Sequence, residues 1–236
     1  MWERMEWSFS GETSMDHGPW SMDYGSRFTL SLLHMDYVSH LVKDKKLAKL
    51  VTGKEPFNLK FHKNICLRLC ASIMSQQLST KVAKVIFQRF LDLYGGEEPT
   101  PQQIADTPFD KLRAIGLSNA KTQYVLNVAQ FALDHDLSDQ KLKKMSDEEI
   151  IELLTQIKGV GRWTVEMLLM FTLGREDLFS ADDYGIQVAM KKLYKLDDSN
   201  KKAFKEKMMK IASKWSPYRT YACLHLWAWK DEKRKT

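Results

Sequence analysis

Residues 153–170 read "LLTQIKGVGRWTVEMLLM", and this segment guides the interpretation of the whole chain. An amphipathic helical pattern leads into "KGVG", and an almost wholly apolar helical pattern follows at once. Because Gly159 and Gly161 lack side chains, backbone N–H groups of a hairpin and of the next helix can point outward together. That geometry suits an anion such as a phosphate, with Lys158 and Arg162 adding positive charge. A plain corner between two helices is the alternative.

A dinucleotide-binding turn also contains Gly-x-Gly, here followed about twenty residues later by Asp182 and Asp183. Two features argue against it. The preceding segment is an amphipathic helix that opens with a capping box, Ser146 with Glu149, and not a β-branched strand. The place of the third glycine is taken by Thr164. No Gly-Lys-Ser/Thr follows, so a P-loop is excluded as well.

The composition is that of a folded protein with a basic body. Of 236 residues, 44% are hydrophobic and 28% are charged. The net charge is +6 overall and −4 over residues 1–40, hence +10 over the remainder, which suits a polyanionic partner. The sequence has neither an apolar run of ~18 residues for a membrane span nor the pattern of a secretory signal.

Three cysteines are too few for a disulfide framework or a four-cysteine cluster. Cys66 and Cys70 lie four residues apart on an apolar helical face, which predicts buried free thiols and a reducing, intracellular setting. The six histidines show no metal-ligand spacing. Among them, His225 is predicted to be a packed core residue.

Helical periodicity continues from Asp36 onward, and no alternation of period two is found after residue 40. The predicted fold is therefore all-α. Helix starts are predicted at Ser79, Ser118, Ser146 and Ser199. Residues 1–30 show no clear period and are predicted to form an N-terminal tail, either disordered or packed as a short segment.

Three further motifs accompany the hairpin in order: "IMSQQLSTKVA", "LFSADDYGIQVAMKKLY" and "SPYRTYACLHLWAW". Together they resemble the helix-hairpin-helix DNA glycosylases over roughly residues 40–230, and are most similar to the 3-methyladenine DNA glycosylase II branch. The resemblance implies two helical lobes with an active-site cleft between them. One lobe would hold residues 31–105 plus 196–230, and the other would hold residues 106–195 with the hairpin and the catalytic aspartate.

The implied activity is that of a monofunctional DNA glycosylase of base excision repair. Such an enzyme flips alkylated purines (3-methyladenine, 7-methylguanine) out of duplex DNA, hydrolyses the N-glycosidic bond and leaves an abasic site. Family members that also cut the strand place a lysine where this chain has Trp163, so no lyase activity is expected. A non-catalytic helix-hairpin-helix DNA-binding protein is the alternative.

The resemblance also implies roles for individual residues. Residue types alone do not separate Asp182 from Asp183, because either acid could cap the helix that follows; the alignment favours Asp183. The implied set is Asp183 as catalytic carboxylate, Gln77 as DNA wedge, Trp163, Met167 and Tyr218 as base pocket, and Lys158, Gly159, Val160, Gly161 and Arg162 as phosphate site.

Two positions depart from the family pattern: Lys158 replaces the usual hairpin proline, and Met167 replaces a tyrosine. No cofactor is expected to be required. A monovalent cation, Na⁺ or K⁺, is expected on the backbone carbonyls of Thr155, Ile157 and Val160. The expected partner of the monomer is duplex DNA with alkylated bases, and not a membrane. The expected location is the cytoplasm, at the nucleoid, in a prokaryote, or the nucleus in a eukaryote.

Overall fold

A computed structural model describes residues 32–232, and the predicted tail of residues 1–30 lies outside the described residues. Residues 32–232 contain helices and no β-strand, so the prediction of an all-α fold is confirmed. Their helices are α1 (Leu32–Leu41), α2 (Ala48–Val51), α3 (Ile65–Ser75), α4 (Thr80–Asp92), α5 (Pro101–Ala105), α6 (Phe109–Ala114), α7 (Asn119–Asp134), α8 (Asp139–Lys144), α9 (Asp147–Leu154), α10 (Arg162–Phe171), α11 (Tyr184–Tyr194), α12 (Lys201–Ala212), a 3-10 turn (Ser213–Trp215) and α13 (Arg219–Glu232).

The described residues group into two compact units. Phe61–Leu173 form one, here named the hairpin unit; residues 32–60 and 174–232 form the other, here named the aspartate unit. These boundaries differ from the lobes expected from the sequence. Helix α3 packs on α7 and so joins the hairpin unit, whereas α11 packs on α13 and joins the terminal segments.

The core of the hairpin unit is built on α3, whose eleven residues are all buried. Its thiols behave as predicted, because Cys66 and Cys70 are buried and unbridged. A hydrogen bond with Cys66 and burial hold the pKa of Cys70 well above its usual value, so this thiol stays protonated and inert. Ser118 caps α7 and Ser146 forms the predicted capping box with Glu149.

The N-cap of helix α4 is the predicted Ser79, and the face that α4 buries agrees in part with the helical period of the sequence. That period places Val82, Val85, Ile86, Phe90 and Leu93 on one face. Ile86 and Phe90 are buried as this predicts, whereas Val82 and Val85 are 45% exposed and Leu93 is 38% exposed. Phe87 is buried instead, because a phenyl ring turned inward removes more apolar surface from water than a valine would.

The aspartate unit is organised around buried rings. Tyr37 stacks on Tyr221 with 4.0 Å between ring centroids. Asp44 accepts hydrogen bonds from the Tyr194 hydroxyl (2.8 Å) and from Trp215 Nε1 (3.2 Å). Burial tends to raise the pKa of Asp44, but these bonds and two from backbone N–H groups outweigh it and lower the pKa.

Two sequence predictions have different outcomes in this unit. His225 is 3% exposed and lies against Phe57, so the prediction of a core histidine is confirmed. Burial lowers the pKa of His225 to about 4. The predicted cap Ser199 is wrong: Asn200 caps α12, because its side chain accepts the N–H of Ala203 at 3.0 Å.

None of the helices between residues 32 and 232 is both long and apolar enough to span a bilayer.

Candidate active site

The hairpin joins α9 to α10 and is closed by backbone hydrogen bonds between residues close in sequence. The N–H of Val160 donates to the carbonyl of Ile157 at 3.0 Å, and both side chains are buried. Asn127, on α7, donates its amide to the carbonyl of Lys158 at 3.2 Å. The hairpin is therefore anchored to its own unit, and the N–H of Val160, assigned from the sequence to phosphate binding, is already used within the turn.

The two hairpin glycines serve different purposes. Gly159 has a φ of 105°, and a Cβ there would overlap the ring of Tyr124. Gly161 has an ordinary extended φ of −95°, and a Cβ there would meet nothing within 4 Å. Gly159 is thus required for close packing inside the unit. Gly161 is exposed and leaves the outer side of the hairpin open to an approaching group.

The N-terminus of α10 is the part of the hairpin whose groups are suited to an anion. Gly161 is its N-cap residue and provides no side-chain cap, so the first-turn N–H groups have no such acceptor. The partial positive charge of a helix N-terminus favours an anion here. Lys158 is exposed beside this end of the helix.

Arg162 does not add an uncommitted positive charge, contrary to the sequence interpretation. Its guanidinium donates to both carboxylate oxygens of Glu148 (2.8 and 2.9 Å) and to Glu166 (3.1 Å). Its hydrogen bond to Glu148 holds the pKa of Arg162 above its usual range. Glu166 is buried, so the guanidinium is a structural partner as well. The backbone N–H of Arg162, in the first turn of α10, is still among the groups suited to an anion.

Gln77 lies at the tip of the turn between α3 and α4. Gln76 has φ −50° and ψ 133°, Gln77 has φ 59°, and the N–H of Leu78 donates to the carbonyl of Ser75 at 3.1 Å. These values describe a type II turn, whose third position favours glycine. A glutamine held there costs about 1–2 kcal/mol. Its side chain is exposed, as a DNA wedge requires.

Asp183 is the N-cap of α11, and its neighbour Asp182 is not. Oδ1 of Asp183 accepts the N–H of Ile186 at 2.8 Å and the indole N–H of Trp227 at 2.8 Å. Asp182 is exposed and forms an ion pair with Lys205, 2.7 Å from each carboxylate oxygen to the ammonium. The structure therefore distinguishes two acids that the residue types alone could not.

The predicted pocket residues are divided between the units. Trp163 and Met167 lie on α10 of the hairpin unit. Trp163 is half-buried, and Met167 is 9% exposed. Tyr218 belongs to the aspartate unit and is half-buried, with its ring 6.2 Å from Tyr221 and 5.5 Å from His40. Tyr218 is thus also part of the aromatic packing of its own unit.

Two neighbours of the predicted site residues were not found by sequence reasoning. Trp227 lies 44 positions after Asp183, and Lys121 lies 45 positions after Gln76, whose carbonyl it binds. No local spacing signals either pair, because both arise from packing between helices distant in sequence. The sequence "KGVG" likewise does not reveal that Gly159 packs against the ring of Tyr124.

The carbonyls predicted to hold a monovalent cation are at the turn. That of Ile157 accepts one backbone N–H, which leaves a second lone pair for another partner. The residues present are therefore compatible with an oxygen-coordinated cation. Between residues 32 and 232, no group of three or more His, Cys, Asp or Glu side chains is arranged to hold a metal ion.

Comparisons with known proteins agree with this architecture. The model of the HhH-GPD superfamily of base excision DNA repair proteins matches residues 70–214. DNA-3-methyladenine glycosylase 1 of Schizosaccharomyces pombe is 38% identical over 185 residues, which are 78% of this chain and 80% of that protein.

Solved structures extend the likeness to three dimensions. The 3-methyladenine DNA glycosylase of S. pombe, in complex with abasic DNA, has a TM-score of 0.69 at 36% identity, covering 81% of this chain and 95% of that one. The DNA-3-methyladenine glycosidase of Bacillus halodurans has a TM-score of 0.75 at 31% identity, covering 88% and 94%. The prediction of a helix-hairpin-helix glycosylase relative is confirmed, and the chain belongs to the HhH-GPD superfamily of base excision DNA repair proteins.

Proposed function

We propose that this protein is a DNA glycosylase that hydrolyses the N-glycosidic bond of alkylated purines, 3-methyladenine and 7-methylguanine, in duplex DNA. The names of its relatives, which include DNA-3-methyladenine glycosylases from yeast and bacteria, support this reaction class. The observation that carries the proposal is the setting of Asp183. A helix N-terminus and an indole N–H both hold one oxygen of this carboxylate.

The carboxylate stabilises the sugar as the bond breaks. The electron pair of the N-glycosidic bond leaves with the base, and positive charge develops on the deoxyribose. A fixed negative group beside that charge lowers the barrier, because it needs no reorganisation during the reaction. Water then attacks C1′ and releases a proton to the solvent, so the products are the base and an abasic site. Asp183 also orients this water.

The absence of an amine at position 163 supports a monofunctional reaction. An enzyme that cuts the strand needs a lysine to attack the sugar and form a Schiff base. Trp163 has no nucleophilic amine, so water remains the nucleophile.

The choice of alkylated purines follows from their charge. Alkylation at N3 or N7 makes the ring cationic and weakens its own glycosidic bond. Aromatic faces attract such a ring by ~0.5–2 kcal/mol per contact. Trp163 and Tyr218 are half-buried aromatic residues, as such a role requires, and Met167 lies one turn after Trp163 on α10.

The remaining assignments complete the proposal. The hairpin binds a DNA phosphate through backbone N–H groups, and Gln77 fills the space vacated by the flipped base. A Na⁺ or K⁺ on the carbonyls of Thr155, Ile157 and Val160 would brace the hairpin and add positive charge near the phosphate. The protein acts as a monomer inside the cell, on DNA of the nucleoid or nucleus.

Incubation of the purified protein with methylated duplex DNA tests the activity. We expect release of 3-methyladenine or 7-methylguanine, followed by strand cleavage only after alkali. Binding without release of any base would favour the non-catalytic alternative. Borohydride added during turnover should trap no covalent complex, and a trapped species would contradict the monofunctional assignment.

A further inference from the structure

We propose that Lys121 is a positioning residue for the DNA wedge, because it fixes the peptide orientation that holds Gln77 in its left-handed conformation. This inference rests on the proposed function, in which Gln77 enters the duplex. It adds a residue from a different helix, α7, to the base-flipping apparatus.

Lys121 reaches the turn from the first turn of α7. Its ammonium donates to the carbonyl of Met74 at 2.9 Å and also to the carbonyl of Gln76. Its own N–H donates to the Ser118 cap of the same helix, so the start of the side chain is fixed. The side chain is half-buried, and desolvation lowers the pKa of Lys121. Two of the three donors of this ammonium are thus used by protein carbonyls.

The carbonyl of Gln76 is the decisive acceptor. Type I and type II turns differ mainly by a flip of the central peptide, here the one between Gln76 and Gln77. In the type I form that carbonyl would point to the opposite side of the turn, and Gln77 would have an ordinary negative φ. In the structure Gln76 has ψ 133° and Gln77 has φ 59°, the type II values. The hydrogen bond from Lys121 to the Gln76 carbonyl forms only in the type II turn and therefore stabilises that turn over type I.

The carbonyl of Met74 anchors the Lys121 ammonium to the end of α3. It lies in the last turn of α3, where helix carbonyls lack intrahelical partners and a cation is favoured. Met74 itself is 0% exposed. One ammonium thus joins the end of helix α3 to the central peptide of the turn. The wedge is set before DNA arrives, which reduces the entropy lost on binding.

The Lys121→Met variant tests the proposal, since it keeps most of the aliphatic stem and removes the donors. The single-turnover rate of base release is measured with one lesion in two duplexes, one fully paired and one with the lesion opposite an abasic-site analogue. We expect a loss of about tenfold or more on the paired duplex, the size typical of a charge-assisted hydrogen bond. The loss should be much smaller where the lesion is already unpaired, because extrusion costs less there. Equal losses on both duplexes would overturn the proposal.

A double-mutant cycle with Gln77→Ala identifies the route of the effect. If Lys121 acts through Gln77, then Lys121→Met should cause little further loss in the Gln77→Ala background. A full additional loss would overturn the proposal. The salt dependence of duplex binding should have the same slope in Lys121→Met as in wild type. A slope reduced by about 0.9 would instead identify Lys121 as a phosphate ligand and overturn the proposal.

Two further variants keep the test sound. Lys111→Met removes one exposed lysine from the same unit and should leave both rates unchanged. Lys121→Arg is used if Lys121→Met fails to fold. It retains hydrogen-bond donors and should therefore preserve most of the rate on the paired duplex. A folded Lys121→Arg protein with a large loss on both duplexes would contradict the proposal. An inactive wild type would refute the proposed function itself, whereas an active wild type matched by Lys121→Met would refute only the role of Lys121.

Discussion

Trp227 donates its indole N–H to Oδ1 of Asp183 at 2.8 Å, and the N–H of Ile186 donates to the same oxygen. The carboxylate is therefore held from α13 and from the start of its own helix, α11. Gly185 lies at this junction, where an added Cβ would come within 3.0 Å of both Asp183 Oδ1 and Trp227. Two helices and a glycine thus determine the orientation of one acid.

Replacing Trp227 with phenylalanine should lower the rate of base release more than it weakens DNA binding. The variant keeps an aromatic ring but loses the donor, and a hydrogen bond to a charged group corresponds to roughly tenfold or more in rate. Single-turnover rates and the Kd for an abasic-site duplex measure the two effects separately. Trp229→Phe, on the same helix, is the control and should retain the wild-type rate. An unchanged rate in Trp227→Phe would refute the positioning role.

The two hairpin glycines should respond differently to alanine. Gly159→Ala should lower the free energy of unfolding by more than ~2 kcal/mol, because the new methyl group overlaps Tyr124 and the φ of 105° is strained. Gly161→Ala should keep stability within about 1 kcal/mol. It should nevertheless weaken duplex binding, because the methyl group occupies the open side of the hairpin. Urea denaturation and binding titrations report the two quantities, and an unaltered Kd in Gly161→Ala would contradict the proposed phosphate site.

The two cations of the hairpin should also differ in their effect on DNA binding. Lys158→Gln should reduce the slope of log Kd against log salt by about 0.9, as expected for one lost phosphate contact. Arg162→Gln should leave that slope unchanged, since Glu148 and Glu166 already neutralise the guanidinium. It should instead lower the melting temperature, because buried Glu166 loses a cationic partner. The reverse pattern would show that Arg162 leaves its carboxylates to bind DNA.

His225 should make the protein sensitive to mild acid. Its pKa is lowered by burial to about 4 in the folded state, against about 6.5 in an unfolded chain. The unfolded state therefore binds the extra proton first. The stabilisation is fully present above about pH 6.5 and is lost as the pH falls toward 4, by roughly 3 kcal/mol. His225→Gln should show a correspondingly smaller loss of unfolding free energy between pH 7.5 and 4.5, whereas equal losses would contradict burial of a neutral imidazole.

Much of the helical framework was predictable from sequence because its signals are local. The caps at Ser79, Ser118 and Ser146 each act within three residues along the chain. Helical periodicity likewise needs only neighbouring turns, and it correctly excluded a dinucleotide-binding sheet from residues 32–232. The face that α4 buries was only partly predictable: the helical period correctly placed Ile86 and Phe90 inward, but Phe87 is buried in place of Val82 because other helices set the shape of the core.

The chemistry of the site residues depended on contacts that sequence spacing does not reveal. "KGVG" indicated a phosphate site but not that Gly159 is needed for Tyr124, which lies in a different helix. Arg162 was interpreted as a phosphate ligand because Glu148, fourteen positions earlier, gave no sign of pairing with it. The distinction between Asp182 and Asp183 likewise required the positions of Lys205 and Trp227.

Base release by Asp183→Asn and Asp182→Asn, compared side by side, is the most decisive measurement. Asparagine is as good an N-cap as aspartate, and its carbonyl oxygen can still accept from Ile186 and Trp227, so Asp183→Asn removes charge with little change of structure. We predict that it binds an abasic-site duplex but releases no methylated base, while Asp182→Asn, which loses only an exposed ion pair, stays active. Wild-type release by Asp183→Asn would contradict the assignment of Asp183 as the catalytic carboxylate.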